Sequence, residues 1–227
     1  DYTYDKRLYD RLRDGHARHV RDHLRADLDY QSKMARFLEN HDEPRAAATF
    51  ASGMHEAAAI ITFLSTGMRF FHQGQFEGRR KRISPHLVRA PKEPTDETLH
   101  QFYDRLRSVL RQRTVRNGQW WLLDCAPAWD GNGTSDSFLA FAWQGPGEER
   151  LLVTVNYAVF QSQCYVPLPF PDLAGRRVRL KDLMGPACYE RDGDDLLSRG
   201  LYLDVPGWGY HVFELSPAVG GRGTKRD

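Results

Sequence analysis

Helical periodicity stops at Asn117-Gly118, and nothing beyond that dipeptide restores it. The remainder consists of seven short β-rich runs, at 120–123, 138–143, 151–157, 163–166, 177–180, 201–205 and 210–215, separated by Gly, Pro, Asp or Asn. Such runs predict an antiparallel sandwich. A chain of 227 residues is long enough for two cores. We therefore expect an α/β portion over 1–117, a β-sandwich over 118–216, and a Gly- and charge-rich tail over 217–227 that is disordered.

The first portion alternates between the two periods. Residues 5–28 read as helical, with Tyr9, Leu12, Val20, Leu24 and Leu28 at three- or four-residue multiples and a break at Asp14-Gly15. Residues 32–39 make a short strand. Residues 54–64 are Ala- and Ile-rich on almost every side, as in a buried helix, and Gly67 stops it before a strand at 68–72. Strand, helix, strand in that order implies a parallel βαβ unit, whose functional loops sit at the C-terminal ends of the strands. Residues 79–97, with Arg79, Arg80, Lys81 and Arg82 and then Pro85, Pro91 and Pro94, form an irregular connection. Thr95 or Asp96 caps the next helix, where Leu99, Phe102, Tyr103, Leu106, Val109 and Leu110 trace one apolar face.

The loop after the first of those strands carries the chemistry. Arg36 to Glu39 delivers Asn40-His41-Asp42 into a segment stopped by Pro44. A glycosidic bond breaks through a cationic, oxocarbenium-like state that a fixed carboxylate stabilises, which is a role for Asp42, with His41 as donor to a ring hydroxyl. The plainer reading of Asp42 is an Asx turn before the proline. Arg45 is either an orienting partner for Asp42 or a neighbouring carboxylate, or an ordinary surface arginine. Gln73, Gln75 and Glu77, in the loop after the second strand, are candidates for sugar hydroxyls or simply polar loop residues.

Other chemistries find little support. The net charge of +2 comes from 32 basic and 30 acidic residues, so no global field recruits nucleic acid or a membrane surface. Cys125, Cys164 and Cys188 fit neither a disulfide framework nor a zinc pattern, which points to a reducing, cytoplasmic compartment. No apolar stretch is long enough to span a bilayer. His16, His19 and His23 fall on one helical face, but their neighbours are Arg, Asp and Ala, so a solvated face is expected rather than a metal site. The His41-Asp42 pair also suits metal-dependent phosphohydrolases, against which the βαβ and sandwich patterns argue. At least four of the five tryptophans are expected to pack in the core. Walker, Gly-x-Gly-x-x-Gly and Gly-x-Ser-x-Gly motifs are absent, and no cofactor or metal is expected.

The order of parts resembles the α-amylase superfamily of glycoside hydrolases, family 13. That family has a Phe-x-x-Asn-His-Asp motif ending the seventh strand of its barrel, matched here by Phe37-Leu38-Glu39-Asn40-His41-Asp42. A Gln- or Glu-bearing turn follows its eighth strand, and an antiparallel β domain comes last. The resemblance implies the C-terminal portion of a TIM (β/α)8 barrel followed by an antiparallel β-sandwich, with residue 1 near the end of the sixth strand. It implies a retaining hydrolase or transglycosidase acting on α-glucosidic bonds, with an α-glucan or oligosaccharide as partner. By the same resemblance Asp42 is the carboxylate that stabilises the transition state, while Asn40, His41, Arg45 and Gln75 bind substrate. The family's nucleophilic Asp and acid/base Glu, after its fourth and fifth strands, have no counterpart in this chain. Where the family often has Tyr-Gly-Gln-Glu, this sequence has His72-Gln73-Gly74-Gln75. A rival expectation is a non-catalytic carbohydrate-binding or assembly module in which the sandwich does the work.

Overall fold

The computed structural model describes residues 1–84, 86 and 89–218. Three short parallel strands, β1 (Thr3–Tyr4), β2 (Met34–Arg36) and β3 (Met68–Arg69), lie in the order β1-β2-β3, with Tyr4 opposite Ala35 and Arg36 opposite Arg69. Parallel neighbours need a crossover, and helices supply it. Between β1 and β2 run α1 (Lys6–Asp14), α2 (Ala17–Leu24) and α3 (Leu28–Ser32); between β2 and β3 run α4 (Ala46–Thr49) and α5 (Met54–Leu64). The break expected at Asp14-Gly15 is real: Gly15, at φ +76°, ends α1 with a left-handed cap. The strand expected over 32–39 is shorter, because Asp27 caps α3 through Asp29 N and keeps Ser32 helical. Gly67 lies at φ +116°, and a Cβ there would come 2.6 Å from Met34 O, so the turn into β3 requires glycine.

After a long connection, α6 (Glu97–Leu110) starts at Asp96, whose side chain accepts from Leu99 N at 3.0 Å. It buries Leu99, Phe102, Tyr103, Leu106 and Val109, the face read from the sequence. The short helix α7 (Arg113–Asn117) then leads to Gly118.

Beyond Gly118 the chain is almost wholly β. The strands are β4 (Gln119–Leu123), β5 (Ala126–Pro127), β6 (Phe138–Gln144), β7 (Arg150–Asn156), β8 (Ser162–Val166), β9 (Arg177–Asp182), β10 (Cys188–Asp192), β11 (Leu201–Val205) and β12 (Tyr210–Pro217), with the short helix α8 (Gly193–Ser198) before β11. One antiparallel sheet has the order β10-β9-β12-β7-β6-β4 and the other β11-β8-β5. Phe138, Ala140, Leu152, Val178, Leu180 and Phe213 of the larger sheet pack on Cys164, Val166, Leu201 and Leu203 of the smaller. The sandwich expected from the alternating runs is present.

The central strands β6 and β7 of the larger sheet are buried on both faces. Leu139, Phe141, Trp143, Leu151, Val153 and Val155 turn away from the sandwich interior and join the core that Leu8, Ile60, Phe63, Phe102 and Leu106 form with their helices. This explains why β6 and β7 read as continuous apolar runs while β9, covered on one side, alternates strictly. Polar ties cross the same interface: Trp143 Nε1 donates to Leu64 O at 2.7 Å and Tyr157 Oη to Leu12 O at 2.7 Å. Position 117–118 is thus a change of architecture across which one core is continuous.

Trp120, Trp121, Trp143 and Trp208 pack against the two cores and Trp129 is exposed. The histidine face needs correction. His16 and His19 are exposed, but His23 is buried with Nε2 2.9 Å from Asp5 Oδ2, because α2 turns that side toward the strand-end carboxylate that also pairs with Arg36. Among the described residues no group of three or more His, Cys, Asp or Glu side chains is arranged to hold a metal ion, and no helix is long and apolar enough to cross a membrane. The tail expected to be disordered lies outside the described residues from 219 onward.

Candidate functional site

The loop from β2 to α4 is stapled at its base and exposed at its tip. Phe37, Leu38 and Glu39 leave β2 buried, and the Glu39 carboxylate, 1% exposed, reaches across the loop to its far end. Its Oε2 accepts from Ala46 N at 2.7 Å, and its Oε1 lies 2.5 Å from Nη1 of Arg45, which is equally buried. A carboxylate at the first turn of α4 also meets the helix's free N–H groups. Between these ends Asn40 Oδ1 accepts from both Asp42 N and Glu43 N at 2.9 Å, the Asx-type turn that asparagine favours. That turn uses the buried Asn40 inward. It projects His41 and Asp42 outward, their side chains 60% and 75% exposed, with His41 Nε2 3.3 Å from Asp42 Oδ2.

Two neighbouring segments fasten the loop. Lys6, at the start of α1, lies 3.1 Å from Glu43 Oε1, and Arg82 Nη2 donates to His41 O at 3.2 Å. Arg45 binds the segment after β3 as well: Nη1 lies 2.7 Å from Gln73 O and 2.9 Å from His72 Nδ1, and Nε donates to Lys81 O at 3.3 Å. Gly74, at φ +90°, passes so close that a Cβ there would come 3.1 Å from Arg45 Nη2.

The sequence-derived residues therefore divide. His41 and Asp42 share one loop tip on an open surface, whereas Asn40, read as a substrate-binding residue, is corrected: it is buried and its Oδ1 is taken up by Asp42 N and Glu43 N. Arg45 is no ordinary surface arginine: it is buried and pairs with Glu39, a neighbouring carboxylate, rather than with Asp42. As a direct sugar contact it is corrected, because its guanidinium lies inside the loop. Gln75 needs the same correction: it is buried, its Oε1 accepts from His72 N at 3.3 Å, and its Nε2 donates to Tyr103 Oη at 2.9 Å. Tyr103 Oη is also 2.8 Å from His55 Nε2. Burial pushes the Tyr103 phenol up and the His55 imidazole down to about 4, so both partners of this contact are neutral at pH 7. A cavity of about 280 Å³ lined by Ser52, His55, Glu56, Arg80 and Asp96 lies beside these helices and includes none of Asn40, His41 and Asp42. Glu39 was missed from the sequence, although a charged residue ending the apolar run Phe37-Leu38-Glu39 is a signal of a buried partner.

No family model and no curated protein sequence matches this chain. Solved structures do. A noncanonic maltogenic α-amylase, AmyB from Thermotoga neapolitana, matches at TM-score 0.71 with 18% identity over 94% of this chain and 50% of its own. An Anoxybacillus α-amylase matches at 0.69 with 14% identity over 96% and 47%, and the Geobacillus thermoleovorans α-amylase, solved with acarbose, at 0.69 with 14% identity over 95% and 48%. At such identities the likeness establishes the fold, which is shared with α-amylase-type glycoside hydrolase structures. The chain spans about half the length of the structures it matches.

Proposed function

We propose that this chain carries the C-terminal part of an α-amylase-type retaining glycoside hydrolase or transglycosidase acting on α-glucosidic bonds, with an α-glucan or oligosaccharide as substrate. The observation that carries the reading is the Asn40-His41-Asp42 tip: an exposed carboxylate and imidazole, held on a stapled strand-end loop, in a fold that aligns with half of several α-amylases. The parallel sheet supports it. β1 and β3 each pair only with β2 among the described strands, and those two open edges are where the remaining strands of a (β/α)8 barrel would add.

In the parent reaction the nucleophilic carboxylate and the acid/base residue come from outside this chain. Asp42 meets the developing positive charge and His41 a sugar hydroxyl. We place the parent in the cytoplasm, on an odd number of widely spaced cysteines, Cys125, Cys164 and Cys188, that suits no disulfide framework. The expected outcome for the purified 227-residue chain incubated with soluble starch or maltoheptaose is no release of reducing sugar above buffer. Turnover by the chain alone, abolished by Asp42→Ala, would contradict this assignment of the reacting groups.

A further inference from the structure

β10 and β11 are the outer strands of their sheets, each paired on one side only among the described strands, β10 with β9 and β11 with β8. A cavity of about 200 Å³ opens between them, lined by Tyr189 and Arg191 of β10, by residues 201–205 of β11 and by His211 of β12. Residue order puts these groups there. Tyr189 pairs with Leu180, a core residue, so it shares the inward face of the larger sheet. Every residue of β10 nevertheless stays exposed, because the three strands of the smaller sheet do not cover all six of the larger. β11 alternates, with Leu201, Leu203 and Val205 buried, which turns Tyr202 and Asp204 outward.

The walls of this cleft are held by their own neighbours. Tyr202 packs on Tyr165, its partner across the strand pair, with ring centres 5.3 Å apart, and Tyr189 meets Phe213 edge-on at 5.8 Å. His211 stacks on Phe213 at 4.8 Å, with Nδ1 2.8 Å from Asp182 Oδ2. Asp204 Oδ1 accepts from the side-chain amides of Gln161 at 2.7 Å and Gln163 at 2.9 Å, while its Oδ2 has no hydrogen-bond partner among the described residues. The Arg191 guanidinium lies 5.0 Å from the centre of the Tyr189 ring and donates from Nη1 to Glu190 O at 2.9 Å; no carboxylate pairs with it among the described residues. One guanidinium in the lining is thus matched by one carboxylate, so the cleft has no net pull on anions or cations. It offers ring surface beside unspent hydrogen-bonding groups, which suits a neutral ligand with apolar C–H faces and many hydroxyls.

We propose that the cleft between β10 and β11 is a second carbohydrate site, separate from the strand-end loop of Asp42, in which a sugar ring of an α-glucan packs on Tyr202 and its hydroxyls bond Asp204 and Arg191. The choice of an α-glucan rests on the glycoside hydrolase reading above. The neutral, hydroxyl-rich character of the ligand rests on the cleft alone.

Calorimetric titration of the 227-residue chain with maltoheptaose, and with cellohexaose as a β-linked control, tests it. Maltoheptaose should bind, and Tyr202→Ala should weaken it about tenfold or more, the scale on which an aromatic anchor acts. Tyr202→Phe, which keeps the ring, should bind nearly as wild type does. Tyr202 is exposed, so neither variant removes a core side chain. A ring that serves only the cross-strand pair with Tyr165 would change stability and leave binding as it was, and that result overturns the proposal. So does the absence of maltoheptaose binding, a preference for cellohexaose, or binding that Asp42→Asn weakens and Tyr202→Ala does not. These failures concern binding by the chain alone and leave the hydrolase reading standing. That reading falls instead on an undiminished kcat of Asp42→Asn in the full-length protein, a result the Tyr202 titration cannot produce.

Discussion

Burying Glu39 against Arg45 strips both ions of water, and such a pair holds only where hydrogen bonds replace the lost hydration. Here Ala46 N, Gln73 O and Lys81 O supply part of it while Arg45 Nη2 stays buried without a hydrogen-bond partner among the described residues, so the charges fix a loop more than they stabilise a core. The neutral chain Gln75–Tyr103–His55 does similar work for the second loop and makes a pH prediction. Unfolded, His55 titrates near 6.5; folded, burial holds it at about 4. Between those values the unfolded chain takes up a proton that the folded chain refuses. The stability is therefore fully present above about pH 6.5 and is lost as pH falls toward 4, by about 3 kcal/mol. His55→Gln keeps a hydrogen-bonding group for Tyr103 but does not titrate. Urea unfolding at pH 7 and pH 4 should show wild type losing more stability than this variant by roughly that amount, and equal losses would contradict the account. At this scale the exposed loop tip of His41 and Asp42 was legible because a polar triplet between an apolar run and a proline is visible locally, while the inward use of Asn40 left no such trace. The sequence misassigned Gln75, whose partner Tyr103 lies far along the chain.

Elements were legible where one face alone is buried. The apolar face of α6 and the alternation of β9 and β11 follow directly from residue order. β10 escaped notice because all five of its residues are exposed, leaving no period to read, and α4, α7 and α8 are too short to show one. β6 and β7 were recognised as strands, but their continuous apolar content also says that they face two cores. That yields a test. Phe141, fully buried, points away from the sandwich interior into the helices. Phe141→Ala should cost about 3–5 kcal/mol in chemical denaturation, as for any fully buried aromatic. A loss below about 1 kcal/mol would mean that the helices do not share this core.

At the scale of the whole molecule, the loop after β2 is tied at its base by buried contacts and leaves Asp42 and His41 exposed at its tip, while both edges of the sheet beneath stay open among the described strands. The sequence made the order of parts visible through the change of period at 117–118 and the Phe37-to-Asp42 motif. It could not show the continuous core, because packing between distant segments leaves no local trace. The central claim is that Asp42 meets developing positive charge in catalysis, and it is tested most directly by Asp42→Asn in the full-length protein. Asparagine caps a loop nearly as well as aspartate, so a structural Asp42 would leave kcat almost untouched. The account predicts a fall in kcat on the order of a hundredfold or more with a much smaller change in KM. Near-wild-type turnover by the Asp42→Asn protein on maltoheptaose would contradict it.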